Sequence, residues 1–142
     1  MSSADPTNHS LAQALLDVNV LVVDDDDDAR ELVAFVLKQA GARVATANSV
    51  REALQVMAKQ GAELLVSDIG MPFENGYELI RRVRAGAVSN ALRSIPAVAL
   101  TAFASVKDRQ DALTAGFQEH VSKPFDAPRL VELLSRLVST SA

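Results

Sequence analysis

The sequence contains no cysteine, which excludes disulfides and thiolate metal sites. No apolar run approaches the roughly 20 residues needed to cross a bilayer, so membrane insertion is not expected. The N-terminal stretch MSSADPTNHS lacks the basic-then-apolar order of a secretory signal, which favours the cytoplasm. Aromatic residues make up only 4% of the chain, and Phe35, Phe103, Phe117 and Phe125 read as packing residues rather than a cofactor box. Positive charge is in deficit: the net charge is −4, which argues against direct nucleic-acid binding. What is present is material for one domain. The 142 residues are 49% apolar and 23% charged, enough for a single sizeable core.

Residues 1–18 read as a flexible tail or linker, with LAQALLD (11–17) as a candidate helical turn. The domain is expected over 19–140. From residue 19 two signals alternate. Short apolar runs, too short for helices, predict strands at 20–23, 43–47, 64–67, 97–101 and 119–122. The first, third and fourth are nearly continuous in apolar residues, as strands buried on both faces should be. Between them lie helical periods. Ala29, Leu32, Val33, Val36, Leu37 and Ala40 form one stripe in 28–40, closed by Gly41. Val50, Ala53, Leu54 and Met57 form another in 50–59, between Ser49 as cap and Gly61 as stop. Tyr77, Leu79, Ile80 and Val83 mark a third in 77–85. Leu130, Leu133, Leu134, Leu137 and Val138 mark the last in 127–138, with Asp126 as cap. Segment 105–115 has only Val106, Ala112 and Leu113 as an apolar face, so a helix there is expected to dock loosely.

Five strands alternating with five helices predict an α/β fold. It is a doubly wound five-stranded parallel sheet, order 2-1-3-4-5, covered on both faces. Such sheets bind ligands beyond the C-terminal strand ends where the order reverses, here between strands 1 and 3. Strand 1 runs out into Asp24 and Asp25, strand 3 into Asp68, strand 4 ends on Thr101 and Ala102, and strand 5 leads to Lys123 and Pro124. Three converging carboxylates repel one another and resist burial. Lys123 supplies one compensating charge. An all-oxygen site without His or Cys suits Mg²⁺, with Mn²⁺ able to substitute, as the source of the rest. A carboxylate can itself act as nucleophile and form an aspartyl phosphate. Thr101 can donate to one phosphoryl oxygen, Lys123 can pair with another, and the small Ala102 leaves room.

These pieces, VLVVDDDDDARELV, LLVSDIGMPFENGYELIRRVR, IPAVALTA and AGFQEHVSKPF, occur in order and at the right spacing. By them the chain resembles the receiver (response regulator) family of bacterial two-component systems over about residues 19–138. Its tail and LLDVNVLVVDDD entry are similar to C-terminal receiver domains of hybrid sensor histidine kinases. The resemblance implies a flavodoxin-like (CheY-like) three-layer sandwich. It makes Asp68 the phosphoacceptor, charged by a histidine kinase or a histidine phosphotransfer domain. Asp25, Asp68 and the backbone carbonyl of Gly70 would hold Mg²⁺, and Asp24 would act mainly through metal-bound water. The Lys123–Pro124 peptide would be cis. Phosphorylation would draw Thr101 inward, free space beneath the 102–105 loop, and remodel the face made by helix 4, strand 5 and helix 5. A second copy of the chain could pair through that face. The domain would catalyse its own phosphotransfer and slow dephosphorylation without being a metabolic enzyme. Since the chain ends soon after the last helix, a stand-alone regulator or a domain of a longer kinase is expected.

Two departures stand out. His120 occupies the position where the family places a switching Tyr or Phe. Gly70 leaves no side chain beside the acceptor, so access to Asp68 should be open. Blander readings are weighed against these. Asp26, Asp27 and Asp28 read as a solvated helix start, which favours acids. Thr101 could be a strand former alone, Lys123 a surface lysine, and Gly76 and Gly116 turn and cap residues. His120 reads as a structural or switch residue rather than a metal ligand, because the other histidine, His9, lies in the tail. Three other functions compete: a phosphorylation-independent interaction module, a haloacid-dehalogenase-type phosphatase, and a flavin protein. The first would be marked by loss of the acids, Thr or Lys. The second wants an acid where Gly70 stands. The third needs a phosphate loop where this chain has aspartates.

Overall fold

The computed structural model describes residues 12–102 and 105–141. The expected tail 1–10, His9, Phe103 and the middle of the 102–105 loop lie outside the described residues. Five strands form one parallel sheet: β1 (Asn19–Val23), β2 (Arg43–Ala47), β3 (Leu64–Ser67), β4 (Ala97–Thr101) and β5 (Glu119–Ser122). Their order is β2-β1-β3-β4-β5, as the alternating pattern predicts. Five helices link or follow them: α1 (Asp27–Gln39), α2 (Val50–Gln60), α3 (Gly76–Arg84), α4 (Val106–Ala115) and α5 (Ala127–Ser141).

The continuous apolar runs of the central strands divide by the two-residue period of a strand. Leu21, Val23, Leu65, Ala97 and Ala99 face one core, where Ala53 and Met57 of α2, Leu79, Ile80 and Val83 of α3, and Ala112 of α4 cover them. Val20, Val22, Leu64, Val66, Val98 and Leu100 face the other, under Val33 and Leu37 of α1 and Leu130, Val131 and Leu134 of α5. Side-chain caps fix where helices begin. Asp26 accepts from Ala29 N, Ser49 from Glu52 N and Asn75 from Glu78 N, while Ser105 and Asp108 form a reciprocal capping box.

Phe35, expected to pack, is 60% exposed on α1, and the packing differs from the sequence pattern in three further places. Leu32, assigned to the buried stripe of α1, is 55% exposed, and the buried face runs through Val33, Ala34 and Leu37 instead. In α4, Val106 and Leu113 are exposed, and the buried face is reduced to Ala112 and Ala115. Small methyl faces bury little area, so this helix is weakly held. The third difference concerns residues 12–18, expected to belong to a flexible tail. Leu15 is completely buried in the α1/α5 core. Its amide donates to the Ala40 carbonyl, and the Asp17 amide to the Gly41 carbonyl, capping the exposed end of α1. Gly41 has a φ of +96°, and a Cβ there would sit 2.9 Å from the Leu16 backbone. The glycine lets the segment lie that close.

One arginine braces the opposite end of the sheet from the acids. Arg84, at the end of α3, donates to the carbonyls of Gly116, Arg93 and Ile95 and to the Gln118 side chain. Gln118 in turn accepts from the Ala97 amide. The turn into β5 is thereby fixed even though α4 is not.

Leu15→Ala is expected to lower stability by about 3 kcal/mol, the cost of emptying a core leucine site. Urea denaturation measures this, and an unchanged midpoint would show that the 12–18 segment adds nothing to the fold.

Candidate functional site

The strand order opens a crevice between β1 and β3 at their C-terminal ends, where neighbouring connections run to opposite faces. Asp24 and Asp25 follow β1, Asp68 follows β3, Thr101 closes β4 and Lys123 follows β5. One carboxylate oxygen from each of Asp24, Asp25 and Asp68 lies within 4.8 Å of the others. Lys123 Nζ is 2.9 Å from Asp24 Oδ2 and 3.6 Å from Asp68 Oδ1. The Lys123 amide donates to the Thr101 carbonyl at 2.8 Å, linking the ends of β4 and β5. Thr101 is fully buried, and the Lys123–Pro124 peptide is cis. Gly70 and Ala102 are exposed at the rim.

Each acid is held differently. Asp24 is buried, with Oδ1 accepting from the Asp26 amide and Oδ2 from Lys123. Asp25 is exposed, and Asp68 lies between these extremes. The Asp68 amide donates to the Val23 carbonyl, tying it to β1. Its own carbonyl accepts from the Ser67 hydroxyl at 2.8 Å. A Cβ on Gly76 would meet that same carbonyl oxygen at 2.4 Å. A contact with backbone cannot be relieved by a rotamer change, so only glycine lets α3 begin against the acceptor. Ser67, Gly76 and Arg30, which donates to the Asp24 carbonyl at 2.9 Å, were not assigned to the site from the sequence pattern. The turn string Asn75-Gly76 was the one available signal.

The electrostatics are those of crowded like charge. Burial raises the Asp68 pKa above its ordinary value; the Asp24 charge raises it further, and the Lys123 charge opposes both. Burial alone would lower the Lys123 pKa, but its hydrogen bond to Asp24 and the Asp68 charge outweigh that, and the net shift is upward. One ammonium against three ionised carboxylates leaves an excess of two negative charges. The oxygen-only donor set and this excess fit a small hard divalent cation.

His120 lies on β5, level with Ala99 of β4. It is half-buried, and its Nε2 is enclosed without a hydrogen-bond partner. Beside it a groove of about 560 Å³ runs along β5 and α5, lined among others by Phe125, Leu133 and Arg136. The structure thus brings Asp24, Asp25, Asp68, Thr101 and Lys123 to one place and leaves His120 further back on the edge strand.

Known proteins resemble this chain in sequence and in fold. The chain is 44% identical over 124 residues to an uncharacterised 14.6 kDa protein of Leptolyngbya boryana, covering 87% of this chain and 92% of that one. It is 34% identical over 135 residues to the sensor histidine kinase RcsC of Salmonella typhi, spanning 95% of this chain but 14% of the kinase. Among solved structures it is similar to the receiver domain of the sensor histidine kinase PA1611 from Pseudomonas aeruginosa, described with a magnesium ion coordinated in its active-site cleft. That likeness has a TM-score of 0.78 at 28% identity and covers 87% of this chain and 98% of that one. Residues 20–135 match the response regulator receiver domain, and with these strand ends converging as they do, the chain belongs to that family of two-component signalling domains.

Proposed function

We propose that this domain accepts a phosphoryl group on Asp68 from the phosphohistidine of a histidine kinase or histidine phosphotransfer domain, in the cytoplasm and with Mg²⁺. The observation that carries the reading is the convergence of Asp24, Asp25 and Asp68 within one 4.8 Å cluster, with Lys123 reaching two of them. An Asp68 carboxylate oxygen attacks phosphorus as the phosphorus–nitrogen bond breaks, and the imidazole leaves with that electron pair and takes a proton. Asp25, Asp68 and the Gly70 carbonyl would hold Mg²⁺, with Asp24 acting through water. The metal, when bound, would supply positive charge against the developing phosphoryl negative charge. Lys123 pairs with one of those oxygens and the Thr101 hydroxyl donates to another. Attack of water on phosphorus then breaks the acyl phosphate bond, which releases inorganic phosphate and returns the free carboxylate.

The output follows from unequal docking. With only Ala112 and Ala115 buried, α4 is the helix that a displaced Thr101 can most readily repack. The α4–β5–α5 face then changes partner, and the same face can receive a second copy of the chain. His120 stands where the family's aromatic ring would turn inward. Its enclosed Nε2 gives that position a polar atom that gains by moving to a partner. The switch biases two states by the contacts of the phosphoryl group alone.

Incubation with Mg²⁺ and acetyl phosphate should add one phosphoryl mass, and Asp68→Asn should take up none. Equal labelling of the variant would refute the assignment. Gly70→Leu should lengthen the phosphoryl lifetime several-fold by obstructing the mouth through which water arrives; an unchanged lifetime would count against open access.

A third expectation concerns the metal-free protein. Because folding raises the Asp68 pKa, the folded state binds that proton more tightly than the unfolded chain does. The resulting penalty is absent below the ordinary value of 3.8 and fully present above the raised value. At neutral pH without divalent ions, Asp68→Asn should therefore melt a few degrees higher than the wild type. The gap should close as pH falls through Asp68's own titration. A lower melting temperature for the variant at neutral pH would contradict the sign.

A further inference from the structure

Five consecutive aspartates, Asp24 to Asp28, follow β1, yet only Asp24 and Asp25 join Asp68. Chemically the five are identical, so something other than residue type must choose between them. Asp26 is withdrawn by its role as cap, accepting from the Ala29 amide. Asp27 is withdrawn by Arg30, whose Nη2 donates to its carboxylate at 2.7 Å. The other arm of the same guanidinium, Nη1, donates to the backbone carbonyl of Asp24 at 2.9 Å. The Arg30 side chain is only 16% exposed, against 78% for Asp27. One planar fork therefore spans the turn, gripping the main chain of the first aspartate and the side chain of the fourth.

We propose that Arg30 is a positioning residue that keeps Asp24 and Asp25, rather than Asp27, facing Asp68. This rests on the reading that the acids hold a divalent cation. The fork geometry is the reason an arginine serves: its N–H groups diverge at fixed angles, so a carbonyl and a carboxylate are held at a set separation. Freed of it, the backbone from Asp24 to Asp27 can rotate and present Asp27 to the cation, with Asp25 turned away. Arg30 acts through Asp24 and Asp27 and touches neither metal nor phosphate.

Electrostatics and positioning predict opposite signs. Removing a positive charge beside three carboxylates would by itself tighten cation binding. Losing the tether would loosen it, and residues that support metal ligands typically cost tenfold or more in affinity when replaced. The test is Mn²⁺ binding to the full chain, read from the free-ion electron paramagnetic resonance signal at neutral pH and below every variant's melting point. Arg30→Met should bind Mn²⁺ about tenfold more weakly. Arg30→Lys, which keeps the charge but lacks the fork, should also weaken binding. The paired change Asp27→Asn/Arg30→Met leaves net charge unaltered and should remain weak. Wild-type affinity in Arg30→Lys or in the paired variant, or tighter binding in Arg30→Met, would overturn the proposal. Should Arg30→Met fail to fold, Arg30→Lys decides. Failure of the wild type itself to bind Mn²⁺ would overturn the metal reading beneath it, a result distinguishable from failure of the Arg30 role alone.

Discussion

Like charges brought together at low dielectric must be neutralised, protonated or kept apart, and this constraint shapes the whole C-terminal edge of the sheet. Three carboxylates share one pocket with a single lysine. Asp24 is satisfied by an amide and that lysine, Asp25 remains in water, and Asp68 is left half-enclosed with its ionised form disfavoured. A pocket so unbalanced favours a cation. The fold supplies the rigidity this requires. Strands buried on both faces cannot shift by fractions of an ångström without disturbing two cores, so the residues at their ends inherit that fixity.

Around this fixed centre the holding forces fall off unevenly. Arg84 ties the Gly116 carbonyl and the Gln118 side chain, in the turn from α4 into β5, to the Arg93 and Ile95 carbonyls ahead of β4. The helix itself rests on two alanine methyl groups. The segment is thus held firmly at one end and weakly along its length.

The sheet could be read from the chain because the physics of a doubly covered strand is local: a run such as VLVV has no other economical burial. The convergence of Asp24, Asp25, Asp68 and Lys123 could be read because topology alone delivers strand ends to one edge. Other features were hidden for identifiable reasons. Leu32 falls within the helical period of α1, but periodicity fixes the centre of a stripe and not its width. Leu15 stands in a segment with no repeat, and its burial depends on a surface built from residues far along the chain. Ser67, Gly76 and Arg30 serve the site through main-chain carbonyls. Such partners leave no mark on the pattern of side chains.

The docked segment before β1 has a consequence of its own. Leu15 is seated at the C-terminal end of α1, and the aspartates lie at its N-terminal end. The helix between them has 13 residues, a stiff rod about 20 Å long. Leu15 therefore holds the far end of a lever whose near end carries the acidic turn. The leucine that closes one core thus also braces the helix on which the acidic turn is mounted.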